Sequence, residues 1–129
     1  MKVSDKDESI RAIFSDGVFV AGCPGRILLE HVTSKWGLLL LVVLSEGEQR
    51  WSALRRRADG ISEKMLAQTL KTLERDGLVS RHAQATIPPR VDYSLTDRGN
   101  ELSALLVPLA AWALQNADDI INGQDSTET

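Results

Sequence analysis

The stretch ISEKMLAQTLKTLERDGLVSRH, Ile61 to His82, restricts the fold more than any other part of the chain. At about 100° per residue, Leu66, Leu70 and Leu73 fall on one side of a helix, with Thr69 beside them. Lys64, Gln68, Lys71 and Arg75 fall on the opposite side, spaced by four, three and four. Ser62 has the side chain of an N-cap, and Glu63 puts a carboxylate in the first turn, where the helix dipole favours it. Gly60 and Gly77 bracket the segment, and glycine takes the positive φ that a tight turn and a helix C-terminus require. The spacing predicts a helix over 62–76 with one face to pack and one to present.

The flanking segments say what such a helix packs with. Upstream, EQR can pair as a short strand, and SALRRRA reads as a second helix capped by Ser52, joined to the first by DGIS. Downstream, LVSRHAQ and VDYSL are β-rich runs separated by TIPPR, a hairpin with an extended, proline-stiffened tip. Helix, glycine turn, helix, hairpin is the order of a winged helix-turn-helix. The expected fold is therefore mainly α with a small β wing over 83–91.

The remaining chain supplies long helices. Cys23 and Pro24 open a helical pattern in which Leu28, Val32, Trp36, Leu39 and Val43 form one stripe ending at Gly47. Thr96 caps a last helix with Leu102, Leu105, Leu106, Leu109, Trp112 and Ala113 on one stripe, and Pro108 is expected to kink or break it. These boundaries give an arm over 1–22 with a helical turn or two in ESIRAIF, a winged domain over 23–96, a helix over 97–121, and a polar, disordered tail over 122–129. Ile13, Phe14, Leu105, Leu109 and Trp112 offer more apolar surface than a small monomer covers. The expected remedy is a homodimer joined through the terminal helices.

Charge is segregated in a way that the net value of −3 conceals. From Arg50 to Arg90, nine basic residues stand against four acidic ones, a balance of +5 that leaves −8 for the rest. Such asymmetry marks a footprint for an anionic partner. On the polar helix face, Lys and Arg match guanine O6 and N7, and Gln68 matches adenine N6 and N7, so the face suits a major groove. Ser62 and the first-turn N–H groups suit a phosphate, as do Arg55, Arg56 and Arg57 of the preceding helix. Arg90, behind Pro88 and Pro89, is placed to enter a minor groove from the wing.

Three blocks carry a family resemblance: CPGRILLEHVTSKWGLLLLVVL, RWSALRRRADGISEKMLAQTLKTLERDGLVSR and IPPRVDYSLTDRGNEL. In order and spacing, from about Cys23 to Trp112, they resemble the HxlR-type winged-helix transcriptional regulators. SKWG, ISEKMLAQTL and PPRVDYSLT are the specific parts; LERDGLVSR is shared more widely among winged-helix regulators. The resemblance implies a homodimeric double-stranded-DNA-binding regulator, MarR-like in architecture, read here as a repressor. The terminal helices would form the dimer and ISEKMLAQTL would read the major groove. Trp51 stands where such proteins usually carry phenylalanine, a bulkier packing choice.

Other readings are narrower. Cys23 sits at a helix start near Arg26, where a thiolate is favoured, so it is a candidate sensor of oxidants or electrophiles; a small packed cysteine is the bland alternative. Trp36 and Trp112 can line a small-molecule pocket at the dimer interface, or simply pack as core. His31 and His82 read as ordinary packed or surface histidines. No enzyme is expected, since Asp92 and Asp97 lack a nearby catalytic histidine and no glycine-rich phosphate loop occurs. No metal or cofactor is expected either: two histidines and one cysteine lie far apart. The charged N-terminus, the single cysteine and a longest apolar run of only WGLLLLVVL fit a bacterial cytoplasmic, nucleoid-associated protein with no membrane partner. A winged-helix domain that binds protein instead of DNA is the alternative from a second class.

Overall fold

The computed structural model describes the backbone of residues 2–14 and 20–127, and the side chains of 7–14 and 20–123. Helix α5 (Glu63–Arg75) forms as its sequence predicts. Ser62 caps it, its Oγ accepting from the Met65 amide at 3.0 Å, and Gly60 and Gly77 take φ of 90° and 76° at the two turns. Leu66, Leu70 and Leu73 are buried, at most 1 % exposed. Around them gather Leu40, Leu41 and Leu44 of α3 (Lys35–Leu44), Leu54 of α4 (Trp51–Arg57), and Leu78, Val79 and Tyr93 from the sheet.

The first long stripe breaks where the sequence predicted continuity. The chain ends α2 (Pro24–Thr33) and restarts at α3, the two axes bent by 71°. Ser34 makes the corner: its Oγ accepts from the Gly37 amide at 3.2 Å and so caps α3. Gly37 is obligatory there, because a Cβ would lie 2.3 Å from the His31 carbonyl oxygen. The break shifts the helical phase. Leu28 and Leu39, expected in the core, remain 44 % and 38 % exposed, while Leu40, Leu41 and Leu44 turn inward.

The sheet is three-stranded, ordered β1-β3-β2, from β1 (Gln49–Arg50), β2 (Val79–Gln84) and β3 (Arg90–Leu95). Strand β1 realises the expected short pairing, with Gln49 opposite Tyr93 and Arg50 opposite Asp92. Arg50 also occupies the N-cap position of α4 with no side-chain cap bond, so Ser52 lies within the helix instead of capping it. The ladder between β2 and β3 runs from Val79–Leu95 to Gln84–Arg90, which leaves 85–89 as the wing tip.

Helix α6 (Asp97–Thr127) is anchored at its start and continuous thereafter. Thr96 accepts from the Gly99 amide at 3.0 Å, donates its hydroxyl to the Gly77 carbonyl at 2.6 Å, and donates its amide to the Leu78 carbonyl at 3.0 Å. Pro108 does not end the helix. The carbonyl it leaves without a donor, that of Ala104, belongs to an exposed residue. The helix also passes the expected boundary at 121 and runs to Thr127; residues 128 and 129 of the expected tail lie outside the described residues. Within the arm, α1 (Lys2–Ile13) is longer than the turns expected, and residues 1 and 15–19 lie outside the described residues.

Candidate nucleic-acid interface

Helix α5 presents Lys64, Gln68, Lys71 and Arg75 as an exposed row, and none of these side chains has a hydrogen-bond or ion-pair partner among the described residues. The row exists because the three buried leucines fix the rotation of the helix about its axis. Full burial of a leucine contributes about 1.5–3 kcal/mol, so rotating the face away from solvent is strongly opposed. The Ser62 side chain is exposed but its oxygen is already engaged in the cap, leaving its hydroxyl proton for an external acceptor.

The arginines of α4 divide. Arg55 Nη1 meets Glu63 Oε1 at 2.9 Å, and Arg57 grips Glu46 with two bonds of 2.7 and 3.0 Å. That pairing holds the Glu46 carboxyl below the usual carboxylate range, through the hydrogen bond first and the guanidinium charge second. Arg56 is exposed and has no partner among the described residues. The cationic run is thus less available than the sequence reading supposed: one arginine is uncommitted and two already face carboxylates.

Arg90 also sits differently from expectation. It belongs to the β3 ladder opposite Gln84, not to the tip. Its Nε lies 3.1 Å from both oxygens of Asp92, which is buried at 1 % exposure, while the Arg90 side chain keeps 43 %. Gln84 Nε2 donates to the same carboxylate at 2.8 Å. The tip itself is apolar: Ile87 is fully exposed beside Pro88 and Pro89. Sequence reasoning missed Asp92 as a member of this cluster; its signal was the arginine two residues earlier on the same strand face. It also missed His31, whose Nδ1 lies 2.8 Å from Asp76 Oδ2 and ties α2 to the end of α5.

On the terminal helices, Phe14, Leu105, Leu109 and Trp112 are 82 %, 70 %, 52 % and 57 % exposed. On α6, Gly99, Ser103 and Leu106 are the buried positions among the described residues, with Leu102 partly covered, so the predicted stripe splits into an inward and an outward part. Cys23 is half-buried at the N-cap of α2, and Arg26 is shared with Glu30 at 3.3 Å. Trp36 packs against the core and lies under the Lys35 ammonium, 4.5 Å from the ring centre, whereas Trp112 is exposed. No group of three or more metal-ligating side chains occurs among the described residues. No single helix among them is long and apolar enough to cross a membrane.

Residues 31–120 match the model of the HxlR-like helix-turn-helix family. An HTH-type transcriptional regulator of Escherichia coli (strain K12), YtfH, is 47 % identical over 108 residues, spanning 84 % of this chain and 86 % of the relative. The solved structure of ytfH from Salmonella typhimurium superposes with a TM-score of 0.79 at 43 % identity, covering 86 % of this chain and 99 % of that one. The redox regulator HypR in its oxidized form superposes with a TM-score of 0.67 at 33 % identity, covering 73 % and 97 %.

Proposed function

The chain belongs to the HxlR-like helix-turn-helix family of transcriptional regulators, and from that premise we propose that it is a homodimeric, sequence-specific repressor. It is a regulator and not an enzyme, as its family and relatives are. Helix α5 enters the major groove, with Lys64 and Gln68 toward base edges and Lys71 and Arg75 toward bases or phosphates. Arg56 and, where Glu63 releases it, Arg55 reach the backbone; Ser62 donates to a phosphate; the wing over 83–91 lies at the minor groove with Arg90.

The observation that carries this reading is the exposed Lys64–Gln68–Lys71–Arg75 row, without a partner among the described residues and held outward by fully buried leucines. Exposed Leu105, Leu109, Trp112 and Phe14 support a two-fold dimer through the terminal helices. Such a dimer offers two α5 helices to half-sites about 34 Å apart.

Replacing Lys64 and Lys71 together by glutamate tests the assignment. DNA binding is expected to vanish, with the size of the particle unchanged by light scattering. Retained affinity would assign the face to a protein partner instead. Half-buried Cys23 at a helix N-cap, together with the redox naming of HypR, supports an oxidant- or electrophile-responsive thiol as the effector site. Mass spectrometry after mild peroxide or quinone treatment, with DNA binding measured in parallel, tests it; an unmodified Cys23 in DNA-competent protein removes that component.

A further inference from the structure

The cluster at the root of the wing contains a buried charge that packing alone does not require. Asp92 lies in the central strand, with Arg50 of β1 on one side and His82 of β2 on the other. A buried carboxylate is costly to desolvate, and well-packed apolar residues often replace such ion pairs without loss of stability. Here the carboxylate takes Arg90 by its Nε edge alone, at 3.1 Å to each oxygen. Both Nη groups of the guanidinium fork stay without a partner among the described residues, on a side chain 43 % exposed. Gln84, across the hairpin, binds the same carboxylate at 2.8 Å and joins the two strands just below the tip.

We propose that Asp92 is the positioning residue of the wing: it fixes the plane of Arg90 so that the outer guanidinium donors face DNA. The proposal rests on the DNA-binding reading above and deepens it. It makes a prediction of opposite sign to plain electrostatics. Replacing Asp92 by asparagine removes one negative charge, which by long-range electrostatics alone favours binding to a polyanion. Loss of positioning instead weakens binding.

The test uses the full chain and a duplex enriched from a random-sequence pool by the unaltered protein, with affinity read by fluorescence anisotropy across a salt series. Arg90→Ala is expected to weaken binding about five- to tenfold and to lower the salt slope by about 1. Asp92→Asn is expected to weaken it by a similar factor, and in the Arg90→Ala background to have no further effect. Gln84→Ala, an exposed position, is the milder second variant, expected to weaken binding by a smaller factor only where Arg90 is present. Binding that is unchanged or tighter in Asp92→Asn, with Arg90→Ala weakened, overturns the positioning role and leaves the DNA reading standing. A loss in Asp92→Asn that persists undiminished without Arg90 also overturns it, making Asp92 a fold residue. An unchanged Arg90→Ala removes the wing contact itself, whereas the Lys64 and Lys71 exchange reports separately on α5.

Discussion

Gly99 and Gly123 lie in the same helix, and the structure predicts opposite responses to the same substitution. A Cβ on Gly99 would sit 2.1 Å from the Leu78 carbonyl oxygen and 3.2 Å from the Leu95 Cβ. Ordinary carbon contact distances begin near 3.5 Å, so α6 and the start of β2 must separate by roughly 1.4 Å to admit the methyl group. The Leu78 carbonyl also accepts the Thr96 amide at 3.0 Å, so separation costs that bond as well. Overpacking of about 1–3 kcal/mol and a lost hydrogen bond of about 1 kcal/mol oppose a helical gain of about 0.5–1 kcal/mol for alanine over glycine. Gly99→Ala is therefore expected to lose about 2 kcal/mol. Gly123 is exposed and has nothing within 4 Å of the added atom, so Gly123→Ala keeps only the helical gain. Urea unfolding followed by circular dichroism, at one protein concentration for all three proteins, gives both differences. A Gly99→Ala protein as stable as the parent would refute the close seat of α6 on Leu78.

Leu70→Ala empties a site that is 1 % exposed at the centre of the core and is expected to cost about 2–5 kcal/mol in the same unfolding assay. Leu105→Glu combined with Leu109→Glu places charge on the outward face of α6, where these residues are 70 % and 52 % exposed; light scattering is expected to show monomers that keep the parent's helix content. Because Arg57 lowers the folded-state pKa of Glu46, the pair's small contribution is present above the ordinary carboxylate range and is lost as pH falls through the lowered value. A carboxyl-carbon NMR titration is expected to show that low midpoint, and Arg57→Ala to return it to the usual range.

What the sequence made legible was whatever is decided locally. Helix α5 has a cap, a periodic apolar face and a glycine at each end, all within a few residues, and its observed bounds match. The hairpin was readable from its β-rich runs and prolines. The corner at Ser34 was hidden because the apolar pattern continues through it; its signal was a capping serine three residues before a glycine. Of the two outcomes expected at Pro108, a kink or a break, the break does not occur, because the helix on either side of the proline holds its own hydrogen bonds. The site was legible as a row of residue types but not as a set of available charges. Arg55–Glu63, Arg57–Glu46 and Arg90–Asp92 are settled by chain folding, and two of these pairs span eight and eleven residues.

The end of α5 is held from two directions. His31 of α2 takes Asp76, and Thr96 at the head of α6 donates to the carbonyls of Gly77 and Leu78. From this joint the thirteen residues of α5 project about 20 Å at 1.5 Å per residue. A swing of about 10° at the joint moves the far end by about 3.5 Å, close to the rise of one base step along a DNA strand. Three residues thus act as the bearing of a pointer, and in the proposed dimer their stiffness would set how far the spacing between half-sites can depart from the ideal before register is lost.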